Sequence, residues 1–183
     1  MMSLARAHFR VAAVSLAVFC ALVNRSHALA TYGFSEDEIN KVEAIQEYRR
    51  GHFAANAEHP MLMKEAIWGS VALSQRWNHI APAGRSISLE TAVRLPNALA
   101  GAATTIVLSG IGELLFGPVV AVAAATIWAF DVNAIAINRI GKEDSFLLFF
   151  FLLAVWCYER AKRQGPTGAT LLPLPTVPAR TGA

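Results

Sequence analysis

The sequence predicts an all-α membrane protein with about four transmembrane helices and two amphipathic interfacial helices in the first outer loop. Three observations predict it. Of 183 residues, 55% are apolar and only 16% are charged, where soluble globular domains carry roughly 25% charge. The mean hydropathy of +0.41 is what four spans of about 20 residues each would give. The apolar residues are also gathered into long runs separated by polar clusters. Disorder, collagen and coiled coil are excluded. A net charge of +3 with no run of five basic residues excludes nucleic acid, whose phosphate backbone needs a strong basic footprint. Cys20 and Cys157 both sit inside apolar runs and read as packing residues, with neither a disulfide framework nor a thiolate metal site indicated.

The first span (residues 1–30) runs from Phe9 to about Val23, or to Ala30 if the helix extends through His27. Ala28-Leu29-Ala30 resembles a signal-peptidase site, but three further apolar runs follow, and an uncleaved signal anchor is the favoured reading. Residues 31–94 form the outer loop. Ser35 stands in N-cap position before Glu36, Asp37 and Glu38, and Ile39, Val42, Ile45 and Tyr48 recur at helical spacing. A second loop helix starts at Pro60 and carries Met61, Trp68, Val71 and Leu73 towards Trp77. Such helices commonly lie flat in the membrane interface. Residues 95–163 hold three spans. The second opens at Leu95-Pro96-Asn97, with the proline in its first turn, and runs to Phe116. Gly117-Pro118 makes a tight turn into an alanine-rich third span, Val119 to about Ile137, and small residues on both predict a closely packed antiparallel hairpin. The fourth span, Phe146 to Trp156, ends in the basic stretch through Arg163. By the positive-inside rule, both termini are then cytoplasmic in a multi-pass protein of the cell (inner) membrane. Residues 164–183, with half of the eight prolines, read as a disordered tail.

Three polar clusters fall on the outer side in this topology. Glu36, Asp37 and Glu38 suit a helix N-terminus, yet a carboxylate just above the bilayer also suits a general base for a hydroxyl or amine acceptor. Glu58-His59-Pro60 with Lys64 reads either as the start of a helix or as a phosphate contact through the lysine ammonium. Glu58 and His59 are two ligands without a third, a poor metal site. The last cluster holds Asp131, Asn133, Asn138, Arg139, Lys142, Glu143 and Asp144. Arg139, Lys142 and Glu143 are ordinary boundary charges. Asp131 lies about four residues deeper, where ionisable groups usually face a bundle interior or polar cavity. Asp144 suits either an N-cap or a ligand at the active face. A polar rim over an apolar bundle fits a lipid-linked substrate such as a polyprenyl-phosphate sugar, its phosphate meeting Lys64 or Arg139 and its chain remaining in the bilayer.

Taken in order, Asp37-Glu38, His59-Pro60 with Lys64, Arg94-Leu95-Pro96, Leu115-Phe116-Gly117, Asn138-Arg139-Ile140 and Asp144 to Phe150 resemble the N-terminal part of the dolichyl-phosphate-mannose protein mannosyltransferase and aminoarabinose transferase superfamily. These are integral membrane glycosyltransferases of the GT-C class. The resemblance implies hexosyl or pentosyl transfer from a polyprenyl-phosphate donor to a protein, lipid or glycan acceptor on the outer or periplasmic side. It implies Asp37 as the catalytic aspartate, with Glu38 as its companion. His59 and Lys64 would lie at the donor phosphate, with Arg139 and Asp144 as further substrate contacts. Some relatives bind a divalent metal here, for which Glu58 is the one ligand to name. Family members continue through many more spans, so a truncated or frameshifted longer gene is the expectation. The alternative is a non-enzymatic four-span scaffold or inactive gene product.

Overall fold

The computed structural model describes residues 2–164, which places the proline-rich tail expectation outside the described residues apart from Gln164. Seven helices and no strands occur among them: α1 (Met2–Ser26), α2 (Glu36–Arg49), α3 (Met61–Ile80), α4 (Leu89–Phe116), α5 (Pro118–Phe130), α6 (Val132–Asn138) and α7 (Asp144–Gln164). The hub is α4, which packs against α1, α3, α5, α6 and α7.

The longest helix begins earlier than its apolar run. The Ser88 hydroxyl accepts from the Thr91 N–H at 3.2 Å and caps α4 six residues upstream of Leu95. Pro96 therefore lies inside the helix rather than in its first turn. The early start places Arg94 and Asn97 on helical backbone, buried within the fold. At the other end Gly117 takes φ 93°, a conformation glycine adopts without a Cβ penalty, and Pro118 opens α5. The two helices form the expected hairpin. A Cβ on Gly112 would lie 3.1 Å from the Ala121 backbone, which shows how closely small residues let them approach.

The expected third span is broken. α5 and α6 meet at 61° around Asp131, whose Oδ1 accepts from the Ala134 N–H at 2.6 Å. An aspartate side chain competes for backbone donors in this way and favours a cap over helix continuation. The break strips the carbonyls at the end of α5 of their helical partners. α1 replaces them: Arg25 Nη2 donates to Trp128 O (2.8 Å) and Asn24 Nδ2 to Ala129 O (3.2 Å). Arg25, fully buried, also donates through Nε to Asn138 Oδ1 at 2.8 Å, and Asn138 Nδ2 donates to the Ser145 hydroxyl at 2.8 Å. Asn138 occupies the place a side chain on Gly101 would need, 2.3 Å from an added Cβ.

By length and composition, Ala7–Ser26 and Leu89–Phe116 qualify as membrane spans, and the α5–α6 pair is a third if it crosses as one bent unit. α7 has an apolar stretch only from Phe146 to Tyr158 before Glu159, Arg160, Lys162 and Arg163. At 1.5 Å per residue that stretch reaches about 20 Å of the roughly 30 Å hydrocarbon core. The two loop helices lie against the N-terminal end of α4 through a core of Ile45, Met63, Ile67, Val71, Ala92 and Val93. The buried side of α2 differs from its apolar stripe. Glu38 and Lys41 point inward, whereas Ile39 is exposed. Pro60 occupies the N-cap position of α3.

Candidate functional site

Glu38 is the centre from which the polar rim at the N-terminal end of α4 is built. It reaches back to the Ser35 N–H at 2.9 Å as a capping residue. Its oxygens also receive Arg94 Nε (2.7 Å) and Nη2 (2.8 Å) and the Gly141 N–H (2.9 Å). The same guanidinium donates to Leu29 O (2.6 Å), Tyr32 O (2.9 Å) and Gly33 O (2.7 Å). All five arginine N–H donors are therefore engaged. One ion pair thus joins the segment after α1, the start of α2, the N-terminal part of α4 and the α6–α7 loop. Burial would raise the Glu38 carboxyl, but hydrogen bonds from Arg94, Ser35 and Gly141 hold it down at about 2.

Asp37, one residue earlier, is thereby held with its side chain at the surface. Its Oδ2 lies 2.5 Å from the Lys142 ammonium. That hydrogen bond and charge, aided by Lys41 and His59, hold the Asp37 carboxyl below its ordinary value and raise Lys142 in turn. His59 Nδ1 lies 2.7 Å from Glu143 Oε1, and the buried Lys41 ammonium lies 3.2 Å from the same oxygen. Burial works to raise Glu143, but a hydrogen bond to its own backbone N–H and the two cations lower it. Asn97 donates from within α4 to Ile140 O at 2.8 Å and also to Lys142 O, which fixes the loop carrying Lys142 and Glu143.

The remaining expected site residues are placed differently. Lys64 is buried, donates to Asn56 O and stands over the Tyr48 ring with 5.7 Å to its centroid. Its ammonium holds the loop before α3 and does not reach the rim. Arg139 donates to Asn24 O and Ala28 O, both at 3.1 Å, and borders a cavity of about 550 Å³ with Leu29, Tyr32, Phe34, Arg94 and Ile135. Glu58 accepts from Asn56 at 3.0 Å. Among the described residues no three His, Cys, Asp or Glu side chains are grouped to hold a metal ion, so Glu58 lacks companion ligands. Asp144 starts α7 and borders a separate cavity.

The second half of the chain decides the family. Residues 83–174 match the family described as dolichyl-phosphate-mannose-protein mannosyltransferase. The chain belongs to this mannosyltransferase family. Together with its apolar helices, membership places it among multi-pass membrane proteins. A protein of Bacillus subtilis (strain 168), named "Putative mannosyltransferase YkcB", is 36% identical over 73 residues, which is 40% of this chain and 10% of that relative. The match thus spans a tenth of the relative's length. No solved structure is significantly similar. Within this mannosyltransferase-family chain, the matched residues include Arg94, Arg139, Lys142 and Asp144, whereas Asp37, Glu38, Glu58, His59 and Lys64 precede them.

Sequence reading missed Lys41, Lys142, Asn97 and Arg25 as organising residues. Asn97 and Arg25 carried a signal, a polar side chain within or at the end of an apolar helix. Lys41 and Lys142 carried none, since a lysine in a charged loop usually stays in solvent.

Proposed function

We propose that this chain forms the outer-face catalytic portion of a glycosyltransferase that moves a sugar from a polyprenyl-phosphate donor to an acceptor on the outer or periplasmic side of the membrane. In this reading α1, α4, the bent α5–α6 pair and α7 make four crossings, both termini are cytoplasmic, and α2 and α3 lie in the interface. The observation that carries the proposal is Asp37. It is an accessible carboxylate presented on a helix N-terminus that a buried ion pair fixes in place, in a chain of the mannosyltransferase family.

As built, Asp37 is ionised and neutralised by Lys142. An acceptor hydroxyl that enters beside Asp37 would weaken that pair, and the carboxylate would regain basicity as it takes the hydroxyl proton. The acceptor oxygen would attack the anomeric carbon, and the lipid phosphate would leave with the bonding electron pair. Lys142 beside Asp37 and Arg139 on the cavity wall are cations that could meet such a leaving group, and His59 borders the same rim.

The test is transfer of radiolabelled mannose from polyprenyl-phosphate-mannose in membranes containing the protein. General-base catalysis contributes about 10²- to 10⁴-fold, so Asp37→Asn should lower turnover by at least about a hundredfold while the protein remains folded. Turnover at the wild-type rate in that variant would overturn Asp37 as the base.

A further inference from the structure

We propose that two adjoining cavities at the α5–α6 break bind an amphiphile with an uncharged, hydroxyl-rich head and an apolar tail, which would serve as a sugar acceptor. Its role as acceptor rests on the transferase reading above; the binding itself does not. The inner cavity, about 390 Å³, is walled by Leu108, Ala124 and Ile127 together with Trp128 and Asp131. The outer one, about 400 Å³, shares Trp128 and Asp131 and adds Asn138 and Asp144. Each lies in the usual size range of small-molecule sites, which combine apolar and aromatic walls with a few placed polar groups.

The shared wall is rigid. The Trp128 indole N–H donates to Gly101 O at 2.8 Å, and the Arg25 guanidinium stands 5.3 Å from the ring centroid. Asp131 is held by its hydrogen bond to Ala134. An aromatic face beside carboxylates suits a polyol, whose C–H surface packs on the ring while its hydroxyls donate to ionised oxygens in charge-assisted bonds. The tail would continue along the apolar inner cavity.

Charge selects against a phosphate. The two cavities are bordered by two carboxylates and by no lysine or arginine. Arg25 lies against the ring with three of its five N–H groups engaged by Ala21 O, Trp128 O and Asn138. Lys142, close to Asp144, is paired with Asp37. The cavity bordered by Arg94, Arg139 and Glu38 carries one net positive charge in its lining instead. A helix cap alone would not require the carboxylate at position 131, since asparagine caps equally well.

The full chain in phosphatidylcholine nanodiscs can be titrated with hexyl β-D-glucoside or hexyl phosphate while tryptophan fluorescence is followed. We expect a saturable change with the glucoside and none with the phosphate. Asp131→Asn and Asp144→Asn should each weaken glucoside binding about tenfold, the usual loss for a hydrogen bond to a charged group. Circular dichroism confirms that each variant keeps wild-type helix content. Equal saturation by hexyl phosphate, wild-type affinity in both asparagine variants, or no saturable signal would each overturn the proposal. Glu159→Gln, which borders neither cavity, should bind the glucoside as wild type does, and because binding is read without transfer, failure of transfer and failure of binding are read separately.

Discussion

The polar rim around Glu38 and the α5–α6 break are each organised by one buried arginine, but the two charges are held differently. Arg94 meets a carboxylate through two nitrogens and gives its remaining donors to three loop carbonyls. Arg25 has only uncharged hydrogen-bond partners, two carbonyls and an asparagine, with the Asp131 carboxylate near enough to act on its charge. It relies on its position at the C-terminal end of α5, where the helix dipole favours a cation. The rim is therefore a directly hydrogen-bonded ion pair, whereas at the break the guanidinium is held by uncharged acceptors.

The largest expected effect comes from removing half of the buried pair. Glu38→Gln or Arg94→Met should cost about 3–5 kcal/mol, because the surviving charge or polar group is left buried without its partner. Reversible unfolding in mixed micelles would measure this, and a loss below about 1 kcal/mol would mean the rim does not depend on the pair. At the break, Arg25→Lys replaces a planar fork by a point charge that cannot reach three acceptors in fixed directions. It should cost about 1–3 kcal/mol through unsatisfied buried groups. Gly101→Ala should cost a similar amount by forcing Asn138 aside, about 1–3 kcal/mol for overpacking.

Acid provides a gentler version of the first experiment. The Glu38 carboxyl lies at about 2 against an ordinary 4.5, so its contribution is complete above about pH 4.5 and is lost as pH falls through 2. Hydrogen exchange should then show the Gly141 amide and the segment from Leu29 to Glu38 losing protection in acid before α5 and α6 do. Simultaneous loss in both regions would erase the proposed distinction. The smallest effect belongs to the exposed Glu159–Lys162 pair at 3.2 Å. Glu159→Gln should change stability by less than about 0.5 kcal/mol, as for most surface ion pairs.

Local signals made much of this architecture legible. Ser35 with three acidic residues after it marked the start of α2, Gly117-Pro118 marked the hairpin, and the apolar runs marked the helices that pack around α4. What escaped depends on residues far apart in the chain. Nothing around Asp131 announces a 61° bend, because the groups that make it tolerable, Asn24 and Arg25, lie more than a hundred residues away. Ile39 belongs to the apolar stripe of α2, yet it is exposed because Glu38 and Lys41 claim the inward face. At the candidate site the residue types were legible but their partners were not. Lys64 turns inward to a carbonyl, and Lys142 takes the position beside Asp37.

The capping of α5 by α1 also bears on how the protein is made. A broken helix in hydrocarbon exposes backbone carbonyls that lipid cannot satisfy. Synthesis proceeds from the N-terminus, so Asn24 and Arg25 have left the ribosome about a hundred residues before the bend that needs them. The order of translation thus matches the order of structural need: the hydrogen-bond donors are already waiting when the interrupted segment arrives.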